Sequence, residues 1–183
     1  MKRFVATLLA LVMSLSMISV TAFAAEIEGP VAETIIGGDS SVNQMRAADA
    51  PSEYYNLSKT GNYYTAELID LASQRGSYTR YYFSTGTGKI YLKLNLLRSG
   101  TTTDTNRDLI IYLYKKDSAT ASGTLVDTRT VHFTDAEVTE YKSFTGLDAN
   151  KFYYIRFYNN SSSKPSNSMD ISGTIEVDDI YRS

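Results

Sequence analysis

An alternation of apolar and polar residues with period two limits this chain to very few folds. Ile90, Leu92, Leu94 and Leu96 occupy every second position, with Tyr91, Lys93 and Asn95 between them. Successive side chains of a β-strand point to opposite faces, so the aliphatic residues share one face and the intervening residues the other. The rhythm returns three more times. Leu109, Ile111 and Leu113 oppose Ile110, Tyr112 and Tyr114. Tyr153, Ile155 and Phe157 oppose Phe152, Tyr154, Arg156 and Tyr158, and Ile171, Gly173, Ile175 and Val177 alternate with Ser172, Thr174 and Glu176. One apolar and one mixed face per strand is the pattern of antiparallel sheets with one side in solvent.

Strands are predicted over residues 64–71, 78–85, 89–97, 108–115, 124–133, 137–145, 151–158 and 169–177. Each is rich in Val, Ile, Thr, Tyr or Phe and ends at Gly, Asn, Asp, Ser or Pro. Punctuation is strongest at Gly86-Thr87-Gly88, Ser99-Gly100, Gly146 and residues 159–167. Residues 66–74 read equally as strand or short helix, because Ala, Glu and Leu favour a helix. About eight short strands with one apolar face each predict an all-β domain. The expected architecture is an antiparallel two-sheet β-sandwich, jelly-roll-like, closing a single core.

The first 25 residues are of another kind. Lys2 and Arg3 precede an apolar run over 4–20, broken only by Thr7, Ser14, Ser16 and Ser19, and Ala22-Phe23-Ala24 supplies a small-x-small site. This is the form of an export signal cleaved after Ala24 or Ala25, so the product is expected to be secreted, extracellular or associated with the cell envelope. Residues 26–50 contain no aromatic side chain and set Glu26, Glu28, Glu33, Asp39 and Asp49 against Arg46 alone. Val31 to Ile36 could form a short strand or pack on the domain. The segment as a whole is nonetheless expected to be a flexible acidic leader, too poor in apolar area to offset its ordering entropy. All fifteen tyrosines lie at or after Tyr54, which places the sandwich domain at 51–183.

The chain has no cysteine. Despite an oxidising destination, stability must therefore come from packing and sheet hydrogen bonds. Residues 51–183 carry equal numbers of basic and acidic side chains, without the basic excess that nucleic-acid binding requires. No later apolar stretch is long enough to span a bilayer, so membrane insertion is not expected once the signal is removed.

Few residues offer chemistry. His132 is the single histidine, in the strand sequence Val131-His132-Phe133. With no cysteine and no nucleophile turn, it reads as a surface or edge residue, and no catalytic residue is assigned. Asp135, Glu137 and Glu140 cluster in a turn and Asp178-Asp179 follow the last strand; acids so placed are expected to be solvated. Paired carboxylates would be needed for the alternative of a small carbohydrate-active hydrolase. Asp104, Asn106 and Asp108 put oxygen ligands at alternate positions of one loop, where calcium is the only cofactor worth weighing. An ordinary polar turn is the preferred reading there. Tyr91, Tyr112, Tyr114, Tyr154 and Tyr158 fall on the mixed faces and are the candidate ligand-binding residues, since phenol rings stack on sugar faces. The same residues serve equally as cross-strand pairs that hold a sheet together. Asn56-Leu57-Ser58 and Asn159-Asn160-Ser161 have the form of glycosylation acceptors but are read as turns.

Residues 81–177 resemble the bacterial pre-peptidase C-terminal domains. Tyr81-Tyr82-Phe83-Ser84-Thr85-Gly86 is similar to that family's aromatic strand and glycine turn, and Lys89-Ile90-Tyr91-Leu92-Lys93-Leu94 to the next amphipathic strand. Asp108-Leu109-Ile110-Ile111-Tyr112-Leu113-Tyr114 and Lys151-Phe152-Tyr153-Tyr154-Ile155-Arg156-Phe157 resemble its two later strands. The resemblance implies a small secreted jelly-roll-like sandwich of the kind appended to hydrolases, used in binding or in assisting secretion. The expected function is a non-enzymatic binding or accessory module for an extracellular or cell-envelope polysaccharide or protein. Recognition would use the tyrosine faces and the loops at 99–107 and 159–167. A structural component that self-associates through an edge strand is the other alternative.

Overall fold

The computed structural model describes residues 27–36, 51, 53–100, 107–118, 123–162 and 168–182. Among these there are eleven strands and no helix. They are β1 (Val31–Ile36), β2 (Glu53–Asn56), β3 (Tyr64–Leu71), β4 (Gly76–Tyr78), β5 (Tyr81–Ser84) and β6 (Lys89–Ser99). After them come β7 (Asp108–Lys116), β8 (Thr124–His132), β9 (Glu137–Thr145), β10 (Phe152–Asn159) and β11 (Asp170–Asp178). One sheet has the order β1-β3-β11-β6-β9 and the other β2-β5-β10-β7-β8, with β4 also pairing β10.

The two-sheet sandwich is the expected one, and the alternation explains it. Leu92, Leu94, Ile175 and Val177 of one sheet and Leu109, Ile111, Leu113, Ile155 and Phe157 of the other are all buried between the layers. Residues 66–71 are strand rather than helix, and Asp70 and Gln74, both with positive φ, turn the chain out of it. The segment expected at 78–85 divides into β4 and β5. Thr79 sits between them, its N–H donating to Ile155 O at 2.9 Å and its hydroxyl to Tyr81 O at 2.9 Å.

Two details differ from the expectation. The sheets are mixed, because β1 pairs β3 and β2 pairs β5 in parallel. The start of the acidic segment is also ordered: Val31–Ile36 forms the edge strand β1, with Ile35 buried. Tyr55 Oη donates to Gly29 O at 2.6 Å, Gly29 N to Asn62 Oδ1 at 2.9 Å, and Arg80 N to Glu33 Oε1 at 3.1 Å. Six residues docking on a preformed sheet edge need no core of their own, which an average over 26–50 conceals. Both Asn-x-Ser sequences are turns. Asn56 Oδ1 accepts from Ser58 N and Oγ, and Asn159 Oδ1 from Ser161 N and Oγ.

Candidate functional site

The outer face of the six-stranded sheet carries two groups of aromatic rings, and register places them. β10 runs between β4 and β7, so Arg156 lies opposite Tyr78 on one side and Tyr112 on the other. Two residues along the same face come Tyr158 in one direction and Tyr154 in the other, with Tyr154 opposite Tyr114. The Tyr114 and Tyr154 rings stack at 5.0 Å and 8°. Tyr78 touches both of them, at 6.3 and 5.7 Å, and Tyr112 links Tyr114 to Tyr158 at 6.4 Å each. Farther along β10, Phe152 packs with Tyr54 and Tyr82 at 5.4 and 5.3 Å. Lys116 lies buried beside that group, 5.2 Å from the Tyr82 ring and donating to Pro51 O at 3.1 Å; burial holds its pKa below the usual lysine value.

Arg156 is the centre of the larger group. Its guanidinium lies 5.7, 5.8 and 5.2 Å from the Tyr78, Tyr112 and Tyr158 rings. A Cβ on Gly76 would come within 2.9 Å of its Nε and of one terminal nitrogen, so the glycine leaves the room that the guanidinium occupies. Nε is buried with no hydrogen-bond partner, and no carboxylate among the described residues pairs with the guanidinium. An unsatisfied buried donor costs about 1–3 kcal/mol. Cation–π contact with three rings offsets part of that, at roughly 0.5–2 kcal/mol each.

The five tyrosines expected to face outward separate. Tyr112, Tyr114 and Tyr158 lie together, half-buried, on this face. Tyr154 is on the same side but only 4% exposed. Gly123 crosses above it so closely that a Cβ there would fall 2.0 Å from Tyr154 Oη. Burial pushes the Tyr154 phenol up to about 12. It is a floor for Tyr114 rather than a contact for a ligand. Tyr91 is on the other sheet, where it meets Tyr181 at 5.9 Å and Tyr141 lies 5.8 Å from Tyr181. These three rings border a shallow hollow with Lys93, Glu176, Asp178 and Arg182.

Of the loop oxygens considered for calcium, Asp104 and Asn106 lie outside the described residues. Asp108 opens β7 and its Oδ1 is 2.6 Å from His132 Nδ1, across the pair Asp108–His132. No group of three His, Cys, Asp or Glu residues is placed to hold a metal among the described residues. Asp178 and Asp179 are not solvated as expected: they are 3% and 5% exposed. Asp178 accepts from the N–H groups of Asp179 and Ile180 and pairs with Arg182, while Asp179 accepts from Gly86 N at 3.3 Å. Asp178 is thus engaged by the backbone that follows it and by Arg182, and Asp179 by the distant turn at Gly86.

Sequence reading missed Tyr78 and Arg156. Arg156 shares its parity with Tyr154 and Tyr158, which was visible. That Tyr78 would join it depended on β4 pairing with β10, which parity does not report.

No protein-family model matches the chain, and no curated protein matches it. Among solved structures, the insecticidal delta-endotoxin Cry8Ea1 of Bacillus thuringiensis aligns with 62% of this chain at 13% identity and a TM-score of 0.35. That alignment spans 20% of the endotoxin's length. The Yersinia pseudotuberculosis-derived mitogen aligns over 63% of this chain and 91% of its own at 9% identity and a TM-score of 0.26.

Proposed function

We propose that this protein is a secreted, non-enzymatic binding module that recognises an extracellular or cell-envelope polysaccharide through the outer face of its six-stranded sheet. The observation that carries this reading is the group of half-buried rings of Tyr78, Tyr112 and Tyr114 beside Tyr158, held on the strands β4, β7 and β10. Rings fixed by neighbours lose little entropy when a ligand lands on them, and flat apolar rings with polar edges match the faces of pyranose sugars. The basic, apolar and small-residue order of residues 1–25 supports the location. The strand pattern over 81–177 supports kinship with pre-peptidase C-terminal domains, which would make the module an accessory to other secreted activities.

Retention of the purified protein on a panel of cell-wall and extracellular polysaccharides tests the proposal. Tyr112→Ala and Tyr114→Ala should each weaken retention about tenfold, as loss of a central aromatic contact does. The melting temperature should move little for Tyr112→Ala. Clean flow-through on every polysaccharide, or retention indifferent to both substitutions, would dispose of the reading.

A further inference from the structure

We infer that Arg156 makes this face selective for acidic polysaccharides, reading the carboxylate of a uronic-acid residue while the surrounding tyrosines hold the sugar ring. The inference rests on the polysaccharide-binding reading and adds the ligand's charge class to it. None of the described residues supplies a carboxylate to Arg156, and its buried Nε has no hydrogen-bond partner. The cation is instead ringed by Tyr78, Tyr112 and Tyr158. Gly76 keeps the strand beneath it bare.

This arrangement suits one task. Contact with three rings confines the guanidinium and leaves its charge uncancelled by any described carboxylate, so that its fork of donors is available to a carboxylate. The rings around it are spaced along one flat sheet face, a match for a chain of sugars rather than for a side chain entering a pocket. Tyr158 Oη donates to Gln74 Oε1 at 2.8 Å, so the polar rim of the group is tied down as well. A phenol-lined surface around an Arg156 that no described carboxylate pairs therefore fits a uronate-bearing glycan better than a neutral one. An acidic peptide, the other source of carboxylates, has no flat apolar face to place on the rings.

The test compares ligands on the unaltered protein, so that it does not depend on how a variant folds. A galacturonate oligomer should bind at least tenfold more tightly than its methyl ester at low ionic strength, and salt should narrow the gap. Arg156→Gln should erase that preference, Arg156→Lys should restore part of it, and Tyr112→Ala should weaken both ligands alike. Equal binding of the acid and the ester, still sensitive to Tyr112→Ala, would overturn the charge selectivity and leave the sugar-binding face standing. Binding of neither oligomer, with none of any other glycan, would remove both readings together. A polyglutamate peptide bound as tightly as the uronate would overturn the assignment to a glycan.

Discussion

Asp179 keeps a carboxylate where water hardly reaches, next to the turn at Gly86 and Thr87. Burial raises its pKa above the ordinary carboxylate value, because the ionised form loses hydration that the Gly86 N–H only partly replaces. A carboxyl raised in the fold binds its proton more tightly there than in the unfolded chain. Its stabilising contribution is complete below the ordinary carboxylate pKa and is lost as the pH climbs through the raised value. Asp179→Asn keeps the shape and removes the charge. The variant should melt above the parent at neutral pH, and the difference should close as the solution is acidified through that window. Thermal melts across a pH series check this; a gap that is absent or reversed at neutral pH would sink it. The burial of Asp179 was not legible in the sequence, where two acids after a strand look like a solvated turn. What buries it is the turn of residues 86–87, more than ninety positions away. The same limit explains Tyr154, whose parity matches Tyr158 but which Gly123 covers from another segment.

β11 shows how a strand accommodates an irregularity at one position. Its pairing with β3 shifts register between Ile171 and Gly173. Asp70, at φ 48°, faces this bulge, where Ser172 Oγ accepts from Asp70 N at 2.9 Å and donates to Asp70 Oδ1 at 3.1 Å. Gly173 has φ 138°, and a Cβ on it would meet Asn95 O at 2.1 Å and Leu96 Cα at 2.8 Å. Both atoms are backbone and cannot swing aside. Gly173→Ala should therefore destabilise the fold by about 3 kcal/mol or more, a drop in melting temperature of roughly 10 °C. An unchanged melting temperature would mean that the bulge is not built this way. In the sequence Gly173 looked like one more inward position between Ile171 and Ile175. Parity assumes an unbroken strand, so the elements were legible in it and the bulge was not. Edge strand β8 carries a second local device. Arg129, on its inward side, lies 4.9 Å from the Phe144 ring and donates to Ser143 O at 2.9 Å, which closes the open side of the sandwich against β9.

Strand order across the whole molecule puts the end of the chain in the middle of a sheet. β11 is hydrogen-bonded to β3 on one side and to β6 on the other, and it buries Ile171, Ile175 and Val177. Among the described strands, β1 lies at the edge of the same sheet and pairs with β3 alone. Alternation announced the inward faces of β6, β7, β10 and β11, because a face is a local property, while the other predicted strands rested on composition and turn residues. It could not announce neighbours, since pairing is decided by loops and by the order in which apolar faces find one another. The central place of β11 therefore became visible only in the fold, and it makes a firm forecast. A chain ending at Ser168 would leave the ladders of both β3 and β6 unpaired and open the core along its length. Unpaired backbone groups and lost apolar contacts on this scale exceed the roughly 5–15 kcal/mol by which domains are stable. Such a chain should show no cooperative melting and rapid proteolysis, whereas removal of residues 181–183 alone should leave a cooperative transition. Removing β1 should fall between the two, lowering the melting temperature while keeping the transition sharp, because the sheet loses an edge rather than its centre. A cooperative melt from the chain ending at Ser168 would mean that the first sheet can close without its middle strand, and the topology described above would have to be abandoned.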